Sequence, residues 1–171
     1  HVECLDIAPE IAILRSEVES IRMVGEDDFA LRELSVEWYC WKRDGTNLVK
    51  KGTAMLERKG KYLEGLKKYE ADLKAYEAAV KADPKANLRI PVKPDPLKSE
   101  GTFLFNPGDG ALEIPEGTYV DIYAIAKDYY PNDRKARSLP VRIHVLSPEV
   151  HAQLIQQNFE SKMAELDDLV R

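Results

Sequence analysis

The sequence predicts a mainly β domain: a sandwich of about seven strands, interrupted by a helical insertion and followed by a C-terminal helix. Three observations lead there. Residues 34–41 and 118–128 alternate apolar and polar side chains with period two, as half-buried strands do. Residues 61–81 instead carry an apolar seam spaced 4, 3, 4, 3, 4, which lies on one face of a helix. From Ser147 a third pattern begins, again helical, and runs to Arg171.

The first fifty residues read as β. Residues 1–7 and 11–14 are short apolar runs separated by Pro9, and residues 17–24 follow with Ile21 and Met23 on one side. Gly25 and two aspartates mark a turn. In LSVEWYCW, Leu34, Val36, Trp38 and Cys40 share the core face, with Ser35, Glu37, Tyr39 and Trp41 opposite. Arg43-Asp44-Gly45 closes this strand as a turn.

The insertion is expected over residues 53–98. Tyr62, Leu66, Tyr69, Leu73, Tyr76 and Val80 form its seam, and Lys and Glu occupy the other faces. Pro84 ends the helix, and residues 84–98 hold four of the chain's 10 prolines, so they form an extended return segment. Strand pattern resumes with GTFLF and with TYVDIYAIAKD, where Val120, Ile122, Ala124 and Ala126 face one way. In SLPVRIHV, Val141, Ile143 and Val145 face in while Arg142 and His144 face out, which completes a hairpin around residues 124–138. Ser147-Pro148-Glu149 then supplies an N-cap, a proline at the first helical position and an acid in the first turn. Ile155, Phe159, Met163, Leu166 and Val170 form the apolar face of that helix, widened by Leu154 and Leu169. The domain division expected is a sandwich over 1–146, with its insertion, and a helix over 147–171 leading into a following helical region.

Composition narrows the class. At 171 residues, with 44% hydrophobic and 32% charged, the chain can bury a core and is not disordered. A net charge of -5, with both signs scattered, lacks the basic patch that nucleic acid requires. No run approaches the roughly 20 apolar residues of a membrane span, so this piece is expected to make no membrane contact itself. It opens on His1 rather than Met and ends within a helical pattern, and it reads as part of a longer protein. Cys4 and Cys40 are too few for a zinc site. They stand either as two buried thiols or as a disulfide, which needs an oxidising compartment.

Catalytic chemistry finds little footing. There is no GxSxG elbow, HExxH or phosphate-cradling glycine loop, and His1, His144 and His151 read as solvated side chains. No catalytic residue and no cofactor is expected. Asp27, Asp28, Asp128 and Asp133 could meet at one end of a sandwich as a calcium site, but loop carboxylates also cap turns. Tyr39 and Trp41 suggest a sugar-stacking platform, against the expectation that the inserted helix covers them. The seam of that helix is expected to pack within the chain; the alternative is an interaction face, for a protein partner or for self-association.

Two blocks resemble a known family. EDDFALRELSVEW resembles a turn and strand of bacterial immunoglobulin-like domains. EGTYVDIYAIAKDYYP followed by ARSLPVRIHVLSPE resembles their final hairpin, where a glycine leads into a strand ending in Ala-x-Asp. Together, over residues 17–43 and 101–171, they are similar to large bacterial membrane-anchored proteins of unknown function that carry such domains before long glutamine-rich helical segments. The resemblance implies an Ig-like fold, an extracytoplasmic setting in the cell envelope, and no catalytic residues. The implied function is a structural or protein-interaction module. The alternative is a ligand-binding module, for carbohydrate or for calcium-dependent contact. The helical insertion departs from the family's pattern.

Overall fold

The computed structural model describes residues 1–27, 31–95, 97–128 and 134–171, the side chains of 59–63 excepted. The fold is mainly β, with nine strands in two sheets among these residues. One sheet has the order β1 (Val2–Leu5), β3 (Glu19–Glu26), β6 (Lys98–Phe105). The other has the order β2 (Glu10–Leu14), β9 (Val141–Leu146), β7 (Thr118–Asp128), β4 (Leu31–Lys42), β5 (Leu48–Arg58), with β8 (Lys135–Arg137) also on β7. All pairings are antiparallel except that of β2 with β9. The sheets do not close into a barrel.

Nine strands arise where about seven are expected because the chain breaks two of them. The first break is at Pro9. Val2–Leu5 pairs with β3, then the chain turns through Asp6 at φ 58 and crosses to the opposite sheet, where Glu10–Leu14 runs parallel to β9. Proline has no N–H to donate, but its carbonyl serves: Arg142 N–H donates to Pro9 O at 2.8 Å. The second break separates β8 from β9, both of which border β7. At this joint Ser138 N–H donates to Ala124 O at 2.9 Å, and Ala124 N–H donates to the Ser138 hydroxyl at 2.9 Å. The hydroxyl stands in for a carbonyl that the interrupted ladder does not supply.

One core joins the two sheets. Ile21, Met23, Phe103 and Phe105 from the first sheet meet Leu34, Val36, Trp38, Val120, Ile122, Ala124, Val141, Ile143 and Val145 from the second. These second-sheet residues are the ones the alternation assigns inward, and all are buried. Trp38 depends on a glycine: it lies opposite Gly52, where an added Cβ would come within 2.4 Å of the indole. The insertion begins later than residue 53, because β5 continues to Arg58 and the helix α1 spans Lys59–Ala82. Residues 53–58 pair with β4, so their alternation belongs to an edge strand. The second helix, α2, spans Pro148–Val170 behind an N-cap in which Val150 N–H donates to the Ser147 hydroxyl at 3.3 Å.

The cysteines are separate. Cys4 lies beside Ser138, with 3.9 Å between Sγ and the hydroxyl oxygen, and that serine bonds Ala124. Cys40 pairs with Val120. Four residues of one strand therefore separate their neighbourhoods, about 13 Å, which exceeds the reach of a disulfide. Burial pushes both thiols above their ordinary pKa. Denatured without reductant, the chain should show two free thiols toward a chromogenic disulfide reagent; a reading near zero would refute the separation. Ser138→Ala removes the acceptor for a buried N–H and should cost about 1–3 kcal/mol in urea unfolding.

Candidate functional site

The outer face of the larger sheet holds a connected group of aromatic and ionic side chains. Alternation along β4 turns Tyr39 and Trp41 away from the core, and alternation along β7 does the same for Tyr119, Asp121 and Tyr123. Register sets them side by side, with Tyr39 opposite Asp121 and Trp41 opposite Tyr119. From β8 and β9, Arg137, Arg142 and His144 join the same face, Asp121 opposite Arg142 and Tyr119 opposite His144.

Two arginines organise these rings. The Arg142 guanidinium donates twice to Asp121, at 2.8 and 3.0 Å, and lies 4.2 Å from the centre of the Tyr119 ring. Hydrogen bonding to Asp121 holds Arg142 above its ordinary pKa. Arg137 lies 3.8 Å from the Tyr123 ring centre and 5.5 Å from that of Tyr39, and its charge meets Glu37 at 3.6 Å. Tyr39 and Tyr123 pack edge to face at 6.1 Å. Further out, His144 and Glu10 bond at 2.6 Å across the parallel pair of β9 and β2. A groove of about 500 Å³ runs over this surface, with Tyr39, Trp41, Tyr119 and Tyr123 along it and Arg137 and Arg142 at its side. The turn at Gly45, φ 75, forms one end.

The expectation that the inserted helix covers Tyr39 and Trp41 fails. The helix follows Arg58, which is opposite Glu33 near the start of β4, whereas Tyr39 and Trp41 lie toward its end at Lys42. Both aromatics are half-buried and line an open groove. The helical seam packs instead on the chain's own return segment. Gly65 faces Pro94, and Tyr76 and Ala79 share a groove with Leu88, Ile90 and Val92. Leu66, Tyr69, Leu73, Tyr76 and Val80 are consequently half-buried, while the Tyr62 side chain lies outside the described residues.

Of the four aspartates considered for calcium, Asp28 and Asp133 lie outside the described residues. Asp27 and Asp128 are half-buried near one end of the sheets; the Asp27 N–H donates to Leu97 O and the Asp128 N–H to Arg134 O. Among the described residues, no three His, Cys, Asp or Glu side chains converge as metal ligands. No described helix is long and apolar enough to cross a membrane. His144 bonds Glu10, and His151 lies in the first turns of α2.

The sequence alone points to Tyr39 and Trp41 but not to their partners Tyr119, Tyr123, Arg137 and Arg142. Their outward phase was legible in the alternation, but the register that assembles three strands was not. The chain matches no protein-family model and no curated protein sequence.

Asp121 is 7% exposed, so its carboxylate depends on Arg142. Arg142→Met keeps the stem over Tyr119 but removes both donors, and should lower stability by about 1–3 kcal/mol in denaturant titration. Loss within 0.3 kcal/mol, roughly the scatter of surface substitutions, would mean that water replaces the guanidinium.

Proposed function

We propose that this chain is a non-enzymatic protein-interaction module of a bacterial cell-envelope protein, built on an Ig-like sandwich. The observation that carries the interaction reading is the open groove that Tyr39, Trp41, Tyr119, Tyr123, Arg137 and Arg142 line on the outer sheet face. Tyrosine, tryptophan and arginine are the residue types that concentrate at protein interfaces, because each offers large contact area with a polar handle. The Tyr–Arg stacks already hold several of these side chains in place, which lowers the ordering cost of binding.

The Ig-like assignment is supported by strand order. With β1, β3 and β6 as A, B and E, and β4, β7 and β9 as C, F and G, these six strands divide between the sheets as they do in that fold, and β5 borders C where the variable type places C′. The paired sequence blocks, with their Ala-x-Asp hairpin, support the extracytoplasmic setting and the membrane-anchored parent. The non-enzymatic reading is supported by two thiols made less nucleophilic by burial.

A carbohydrate-binding reading rests on one specific feature, Trp41 beside an open groove lined by tyrosines. The two separate by substitution. Trp41→Ser with Tyr39→Ser should abolish retention of an envelope partner in cross-linking from bacterial envelope extract, with circular dichroism unchanged. Undiminished cross-linking would end the outer-face reading. Binding to a glycan array that the same pair of substitutions abolishes would transfer the face to carbohydrate.

A further inference from the structure

A second exposed apolar surface lies along α2, beyond the first turns where Val150 and Leu154 share a pocket with His144. No residue of α2 is buried. Ile155, Phe159, Met163 and Leu166 form a stripe along it, and Phe159 is 64% exposed. Such a stripe is unusual on a helix that stands alone.

The complementary surface belongs to the arm, residues 59–97, in which α1 and its return segment lie together. Between them runs a groove of about 540 Å³, lined by Tyr76, Ala79, Leu88, Ile90 and Val92, with Ile90 67% exposed. Lys68, Arg89 and Asp72 border it, two cations to one anion. Charge differs in sign: the arm holds nine Lys and Arg against six Asp and Glu, while residues 148–171 hold two against five. Glu160, Glu165 and Asp167 flank the stripe of α2. At 24 and 23 residues the two helices are equally long, about 35 Å.

The arm and α2 are rooted at opposite ends of the β body. Arg58, which precedes α1, pairs with Glu33. Val145, just before α2, pairs with Thr118, which pairs with Lys42. Nine strand residues, about 30 Å, separate these roots along β4, and the stripe of α2 remains exposed. We propose that α2 of one copy docks its Ile155–Phe159–Met163–Leu166 stripe into the arm groove of a second copy. The contact is heterologous: each copy offers one donor helix and one acceptor arm, and repetition gives open head-to-tail chains. This proposal does not rest on the outer-face reading.

Sedimentation velocity across a concentration series tests it. The wild-type chain should form species that grow with concentration and weaken as salt rises, since opposite charges flank the contact. Phe159→Glu, and separately Tyr76→Glu with Ile90→Glu, should each weaken self-association more than about tenfold. An equimolar mixture of the two variants should recover association but stop at the dimer, because one variant retains the arm and the other retains α2. Leu166→Glu serves as a second α2 variant, and far-ultraviolet circular dichroism verifies that helix content is kept. A monomeric wild type at high concentration overturns the proposal. So does loss of association by the α2 variants alone with the arm variant unaffected, the signature of α2 pairing with itself.

Discussion

The antiparallel pairing of Leu31–Lys42 with Thr118–Asp128 is the constraint on which the rest of the molecule depends. Both strands are central in the larger sheet, and each carries two different surfaces at alternate positions. Their register puts Leu34, Val36, Trp38 and Cys40 with Val120, Ile122, Ala124 and Ala126 on one side, all buried. The same register puts Tyr39 and Trp41 beside Asp121 and Tyr119 on the other. A slip of one residue would turn core side chains to water and charged ones inward, so the hydrophobic effect that fixes the core also assembles the outer face. The candidate site is in this sense the reverse side of the core.

The edges of the fold follow from where that central pair leaves hydrogen bonds to be satisfied. β7 is longer than β9 alone can flank, and the chain completes its border with β8 on the far side of the Ser138 joint. Pro9 lets the first strand leave one sheet and enter the other, where β2 covers the outer edge of β9. On the opposite side β5 is the edge strand, and from its end the arm departs. Near that departure the two sheets draw together: Leu56 packs against Gly101, and Glu57 accepts from the Glu100 N–H at 3.0 Å. Beyond it, Arg22 bonds Glu100 across β3 and β6. The arm is thus attached where the strands flanking it are held to each other.

Inside the arm, an α-helix is matched with a proline-rich extended leg rather than with a second helix. Proline restricts the unfolded chain, so an extended leg of this composition loses less entropy on ordering than an ordinary segment would. It also covers only part of the helix. The seam that reads like one half of a coiled coil is therefore half-covered by its own chain, and an apolar groove stays open along the distal part. The helix that bears the exposed stripe and the arm that bears this groove carry opposite net charge and are rooted at opposite ends of the β body.

Much of the fold was legible because period and punctuation are local properties. Strand phase in residues 34–41 and 118–128, the inward set of nine core residues, the helix start at Ser147 and the proline exit at Pro84 can all be read within a few residues of each site. The length of β5 was not, since residues 53–58 contain Met55 and Leu56 beside charged neighbours, and only pairing with β4 makes them strand. Nor was the candidate site, because Tyr39, Tyr119, Tyr123, Arg137 and Arg142 come from separate strands and their adjacency is a matter of register. By itself the sequence determined which faces are apolar and where elements start and stop, as propensity and alternation act over short range. The tertiary structure alone decided which faces are covered, because coverage depends on where an element is rooted and which strand it borders. That is why the inserted helix, expected over Tyr39 and Trp41, lies against its own return segment and leaves them open to solvent.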